Sequence, residues 1–218
     1  MNSTRTSSKT SYSCFAVTVA VLLFLSALAF PIREPLFRSV VHVSDTVIPH
    51  ALIAAVAEIG LLFSIASAIA VAAWTWLRDR DSFLVLAAGG CAVVIAYLTS
   101  ELVKILVAEP RPCRVVDVPT VLVCPGIDDW SWPSNHAVLA ASVATACVLA
   151  VPRSAWVLCP SAVLIAGARV SAGVHYPHDV LAGLGFGIVV VLSTVPLLRR
   201  LHTNLSIKVD KNRSVNLH

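Results

Sequence analysis

The sequence predicts an all-α protein, a polytopic membrane helical bundle of about six transmembrane helices with both termini cytoplasmic. Three observations carry this. Of 218 residues, 57% are hydrophobic and 13% charged, a balance too apolar for an ordinary water-soluble domain. Six stretches approach the roughly 20 apolar residues that a bilayer core demands: 13–30, 50–77, 83–106, 135–151, 154–171 and 179–198. With the N-terminus inside, Arg5, Lys9, Arg78, Arg80, Arg153, Arg199, Arg200, Lys208, Lys211 and Arg213 all fall on the cytoplasmic side, the majority of the 16 Lys and Arg residues. The net charge of +4 is spread over span ends, so no nucleic-acid partner is expected.

Residues 1–12, rich in Ser and Thr, are expected to be a disordered cytoplasmic N-terminus. Ala27-Leu28-Ala29 has the small-x-small form of a signal-peptidase site, but the apolar run before it is longer than most signal cores, and a retained first helix is expected. Between Pro31 and Pro49, the residues Phe37, Val40, Val41 and Val47 recur at helical spacing, which reads as a short interfacial helix on the outer surface. Glu58 is costly at the depth of the second span and is expected to face the bundle or a partner. Asp79-Arg80-Asp81 reads as a solvated charged turn. Pro152-Arg153 joins the fourth and fifth stretches as a tight helical hairpin. In the last stretch Gly183 and Gly187, four apart on the face of Asp179, predict close helix packing. The membrane domain thus covers 13–198, and 199–218 forms a basic cytoplasmic tail that contacts anionic membrane lipids.

Cys113 and Cys124 share the long extracytoplasmic loop 107–132, where an oxidising compartment favours a disulfide. Cys14, Cys91, Cys147 and Cys159 lie in or beside apolar spans and are expected to be buried small hydrophobes. No Cys-x-x-Cys zinc pair is present, and neither a metal nor any other cofactor is expected.

Three polar patches interrupt the apolar sequence: Lys104 with Arg111-Pro112, Pro133-Ser134-Asn135-His136, and Arg169 with His175 and Asp179. Alternating span directions put all three at the outer surface. Together they supply three cations, two imidazoles and a carboxylate, the inventory for gripping a phosphate and transferring it through histidine. Ser134 precedes an apolar helical run and is placed to cap it, leaving the helix N-terminus as an anion site. Glu101 and Lys104, three apart, share a helix face and can pair, so that Glu101 either neutralises Lys104 or also orients it.

At these residues the chain resembles the type 2 phosphatidic acid phosphatase superfamily of integral membrane lipid phosphatases. Lys104, six intervening residues and Arg111-Pro112 match the first family motif. PSNH at 133–136 matches PSGH with Asn135 replacing glycine, and Ala168 to Asp179 matches SRxxxxxHxxxD with Ala168 replacing serine. The resemblance implies that His175 attacks phosphorus and forms a phosphohistidine, that Asp179 orients it, and that His136 protonates the leaving oxygen. Lys104, Arg111 and Arg169 would bind the phosphoryl oxygens, helped by Ser134, backbone N–H groups and the Asn135 amide. His178 lies outside the family motif and is expected beside the site in a supporting role.

The expected substrate is a lipid phosphate, with polyprenyl diphosphate carriers of envelope synthesis first, resembling bacterial enzymes that recycle them. Phosphatidylglycerophosphate, phosphatidate and polyprenyl-linked sugar phosphates are the alternatives. From a different class, a transporter or a non-catalytic lipid-phosphate-binding protein would keep the same pocket. Nothing in the sequence specifies an oligomeric state.

Overall fold

The computed structural model describes residues 3–215, with side chains for 13–205. Eight α-helices follow in order: α1 Ser3–Ala29, α2 Arg33–Val47, α3 His50–Arg78, α4 Arg80–Val107, α5 Pro112–Val115, α6 Asn135–Ala150, α7 Ala155–Ser171 and α8 Pro177–Val215. A 3-10 turn, Pro152–Ser154, makes the short link between α6 and α7. No strand occurs among the described residues. The side chains of the expected disordered segment 1–12, and of most of the tail, lie outside the described residues.

Each of the six expected stretches falls on a helix, but the helices are not equal. Segments His50–Arg78, Arg80–Val115, Pro152–Ser171 and Pro177–Leu205 are long and apolar enough to cross a membrane. Ser13–Ala29 and Arg33–Val47 reach that length and composition only as a pair, bent by 101°. Pro31 lies at the bend, where its missing N–H prevents α1 from continuing. The helix α6 has 16 residues, about 24 Å at the helical rise and shorter than a bilayer core. The chain is a multi-pass membrane protein with four full-length candidate spans among the described residues, or five if the bent pair is one.

The short helix is the axis of the bundle. Ala137, Val138 and every residue from Ala140 to Cys147 are buried, and α3, α4, α7 and α8 all pack against it. A helix apolar all round belongs in an interior, and its alanines let neighbours approach closely. Against α8 the approach is closest. A Cβ on Gly183 would lie 2.7 Å from the Ser134 carbonyl oxygen, and one on Gly187 would lie 2.4 Å from that of Val138. The close packing expected of this glycine pair is therefore the seam that sets α8 against the start of α6.

One expectation fails. Cys147 is buried, but Cys14, Cys91 and Cys159 are exposed on the bundle surface. Inside and outside are both apolar in a membrane bundle, so hydrophobicity does not report which face a residue takes. Glu58 is exposed and lies within electrostatic reach of Arg169. The helix expected after Pro31 is α2, anchored by buried Phe37, Val41 and Ser44. The Phe37 ring packs edge-on to Tyr176, with centroids 5.5 Å apart. At the charged turn, Asp79 caps α4 by accepting the N–H groups of Asp81 and Ser82 at 3.1 and 3.2 Å.

Candidate active site

One end of the bundle collects the C-terminal ends of α4 and α7 and the N-terminal ends of α6 and α8. Lys104 lies in the last turn of α4 and Arg169 in the last turn of α7. Past α4 the chain turns through Ala108, held at φ 49° with its N–H bonded to the Lys104 carbonyl. Pro110 and Pro112 then flank Arg111, the N-cap of α5. After α7 the turn passes through Gly173 at φ +85°, a conformation glycine adopts without steric cost. His175 stands in this turn, immediately before α8.

The start of α8 explains how His175 and Asp179 come together. Pro177 is at the first helical position and Asp179 at the third, where its Oδ2 accepts the Tyr176 N–H at 2.7 Å, the carboxylate half of a capping box. The same Oδ2 lies 3.3 Å from His175 Nδ1 and accepts the Ser131 hydroxyl. On the other side of the ring, Arg111 Nη1 is 2.9 Å from His175 Nε2 and 3.0 Å from the Val174 carbonyl. A guanidinium only donates, so Nε2 holds the lone pair and Nδ1 the proton facing Asp179, an assignment made from the network. Burial, reinforced by Arg111, Arg169, Lys104 and His136, holds the His175 imidazole well below its ordinary pKa range, which keeps it neutral and nucleophilic at neutral pH.

Around His175 lie the expected cations, all buried: Lys104 (3% exposed), Arg111 (3%) and Arg169 (7%). Lys104 and Arg111 share the Asp129 carboxylate, so the three buried cations carry positive charge that an anion could balance. Two buried donors, Arg169 Nε and Ser134 Oγ, have no hydrogen-bond partner among the described residues. Ser134 occupies the N-cap of α6, as expected, but its hydroxyl makes no bond to the helix. His136, partly buried in the first turn of α6, lies within electrostatic reach of Arg169, Arg111, Lys104 and Asp129.

Other expected residues take different duties. Asn135 spends its side chain on α4: Nδ2 donates to Glu101 Oε1, and Oδ1 accepts the Ser100 hydroxyl at 2.6 Å. These bonds tie the amide to the α4–α6 contact and leave one Nδ2 N–H uncommitted. Glu101 lies 3.9 Å from Lys104 Nζ, whereas Asp129 Oδ1 lies 2.9 Å from it. Ala168 packs with Ile53, Ala57, Ala172 and Val174 in a small apolar cluster. Cys113 and Cys124 are disulfide-bonded, with Cα atoms 5.9 Å apart.

Sequence reasoning missed Asp129, Ser131 and Glu109. Asp129 and Ser131 alternate with Trp130 and Trp132 before Pro133, and residues two apart in an extended segment share a side. That period was the available signal. Asp129 Oδ1 also accepts Arg111 Nη2 at 2.8 Å. Burial pushes its carboxyl up, but hydrogen bonds from Lys104 and Arg111 outweigh this and hold it below the usual carboxylate range. Glu109, His178 and Asp179 bring three ligand-type atoms within 4.8 Å of one another, the spacing a metal would need. His178 Nε2 already lies 3.1 Å from both Glu109 Oε2 and Asp179 Oδ1. The hydrogen bond goes to Glu109, while Asp179 Oδ1 and His178 Nδ1 have no hydrogen-bond partner among the described residues, and His178 meets the Asp179 oxygen that does not face His175.

Comparison with known proteins matches this arrangement. Over 91 residues the chain is 41% identical to the undecaprenyl-diphosphatase of Sulfolobus acidocaldarius, covering 41% of this chain and 44% of that protein. Over 136 residues it is 29% identical to the bacitracin transport permease protein BcrC of Bacillus licheniformis, covering 61% and 66%. The chain therefore matches less than two thirds of the length of either relative. The fold resembles the PAP2-type phosphatidylglycerolphosphate phosphatase of Bacillus subtilis, at TM-score 0.62 and 20% identity over 85% of this chain and 96% of that one. It also resembles Aquifex aeolicus LpxE, at TM-score 0.56 and 21% identity over 76% and 95%. The PAP2 superfamily model matches residues 84–202, more than half of the chain and all three polar patches, so the protein belongs to the PAP2 superfamily.

Proposed function

We propose that this chain is a lipid phosphatase that releases phosphate from polyprenyl diphosphate at the extracytoplasmic membrane surface through a phosphohistidine. The observation that carries the reading is the environment of His175. Its Nε2 lone pair faces the cationic cluster, and its Nδ1 proton faces a buried carboxylate, the polarity a nucleophilic imidazole needs. Lys104, Arg111 and Arg169 hold the terminal phosphoryl group, with Ser134 Oγ and the N–H groups at the start of α6 as further donors. Nε2 forms a bond to phosphorus while the bridging P–O bond breaks, and the electron pair leaves on the lipid monophosphate, which His136 protonates. Water then attacks the phosphohistidine, gives its proton to His136, and frees inorganic phosphate and neutral His175. Asp179 stabilises the charge on the ring in both steps.

The undecaprenyl-diphosphatase relative, at 41% identity over the matched region, favours the diphosphate over a phospholipid monoester. The Lys and Arg bias toward the opposite side supports the extracytoplasmic placement. The test is phosphate release by purified protein in EDTA, comparing polyprenyl diphosphate with phosphatidylglycerophosphate, with His175→Ala as control. Release from the diphosphate and acid-labile labelling of the wild type, both lost in the variant, are expected. Preference for the phospholipid overturns the substrate assignment, and inversion at a chiral phosphorus overturns the covalent route.

A further inference from the structure

Arg111 is almost fully committed within the chain. Its Nε donates to the Asp129 carbonyl at 2.7 Å, and its Nη1 faces the Val174 carbonyl and His175. Only the Nη2 edge remains to meet an incoming phosphoryl oxygen, and there Asp129 Oδ1 already sits at 2.8 Å. The same oxygen takes Lys104 Nζ at 2.9 Å. One carboxylate oxygen thus takes a donor from each of two of the three site cations.

The two cations are buried, but the Asp129 side chain is 47% exposed, so it reaches in from the mouth of the site. Its main chain is pinned independently, through the carbonyl bond to Arg111 Nε and a turn closed by its N–H on the Gly126 carbonyl. Ser131, two residues on, is held by the Glu109 carbonyl at 2.8 Å. The carboxylate can therefore swing outward about its own side-chain bonds while the loop stays in place. A phosphoryl oxygen asks for the same charge-assisted contacts, and although Lys104 Nζ and Arg111 Nη2 keep further N–H groups, two anions this close repel, so the phosphoryl group and the carboxylate compete.

We propose that Asp129 is a specificity-determining residue that competes with phosphate for Lys104 and Arg111. A phosphoryl group must displace the carboxylate to bind, so the site admits the highly charged diphosphate end and sheds free phosphate once turnover is complete. This rests on the reading of Lys104 and Arg111 as phosphate ligands.

The test is calorimetric titration of the detergent-solubilised full chain with inorganic phosphate, using wild type, Asp129→Asn, Lys104→Gln and the double variant. The asparagine side chain would keep the shape and an acceptor oxygen but lose the charge. Removing a competing charge-assisted contact is expected to tighten phosphate binding in Asp129→Asn roughly tenfold or more. The KM for lipid diphosphate falls by a similar factor, while kcat does not rise. A residue that merely holds the loop would show the opposite sign, weaker binding together with a lower melting temperature, and that result overturns the proposal. Asp129→Ser repeats the test should the first variant prove unstable. Unchanged affinity in Asp129→Asn, with weaker binding in Lys104→Gln, overturns the competition but leaves the phosphate reading standing. If Lys104→Gln alters phosphate affinity in neither background, the phosphate reading of Lys104 falls, and the competition with it.

Discussion

Gly187→Ala places one methyl group in the seam between α8 and α6, and its consequence follows from distances. The new Cβ would stand 2.4 Å from the Val138 carbonyl oxygen and 2.8 Å from Ser142 Oγ, where ordinary contact begins at about 3.4 Å. The obstacle is helix backbone, so no side-chain rotation relieves it and α8 must retreat from α6 by about 1 Å. Overpacking of this kind costs roughly 1–3 kcal/mol of stability. The functional cost is larger, because α6 carries Ser134 and His136 while α8 fixes Asp179 and, through it, His175. A misplacement of about 1 Å between reacting groups costs on the order of a hundredfold in rate. Gly90→Ala is the matched control, since a Cβ there meets nothing within 4 Å. It should gain up to about 1 kcal/mol from helix propensity and leave activity intact. Thermal melts and phosphate release in one detergent provide both readouts. Wild-type rate and melting temperature in Gly187→Ala would refute the claim that this seam sets the site geometry.

Three further outcomes follow from the site. Asp179→Asn keeps an acceptor oxygen but removes the charge that pairs with the His175 ring, so kcat should fall about a thousandfold or more; a Ser131→Ala variant, which deletes one bond to the same oxygen, should lose far less. His136→Ala should slow a phosphate monoester more than a diphosphate, because an alkoxide needs a proton on departure and a phosphate leaving group needs one less; equal losses in kcat would contradict the acid role. His175 has its folded-state pKa depressed by burial and neighbouring cations. Its stability contribution is therefore present above the unfolded value near 6.5 and is lost as pH falls from there toward the folded value. Melting temperature should drop with acidification in the wild type and less steeply in His175→Gln, measured as the difference between the two profiles.

The polar patches were legible because a charge in an apolar span is expensive and stands out against its surroundings. Lys104, Arg111, Ser134, His136, Arg169, His175 and Asp179 could each be named, and the alternation of spans was enough to predict that they share one end. Glu109 was not legible, since a carboxylate in a loop costs nothing and carries no such signal, and Asp129 was marked only by its alternation with Trp130 and Trp132. His178 was recognised as a neighbour, but its contacts with two carboxylates depend on how Glu109 folds back after Ala108. Asn135 shows the converse: its place in a motif suggested an anion ligand, and the motif gave no sign of its bonds to Glu101 and Ser100 on α4.

By itself the sequence determined the helical class, the apolar segments, the glycine seam and the chemical inventory of the site. Each of these rests on the identity of residues along one helix or one motif. Only the tertiary structure decided which apolar faces are buried, how far α6 falls short of a full span, and which partner each buried cation takes. A membrane bundle is apolar on both its inner and its outer surface, so composition cannot assign the face. The partner of a charge is set by packing between segments as far apart as Arg111 and His175, or Ser26, whose hydroxyl bonds the His178 carbonyl at 2.8 Å.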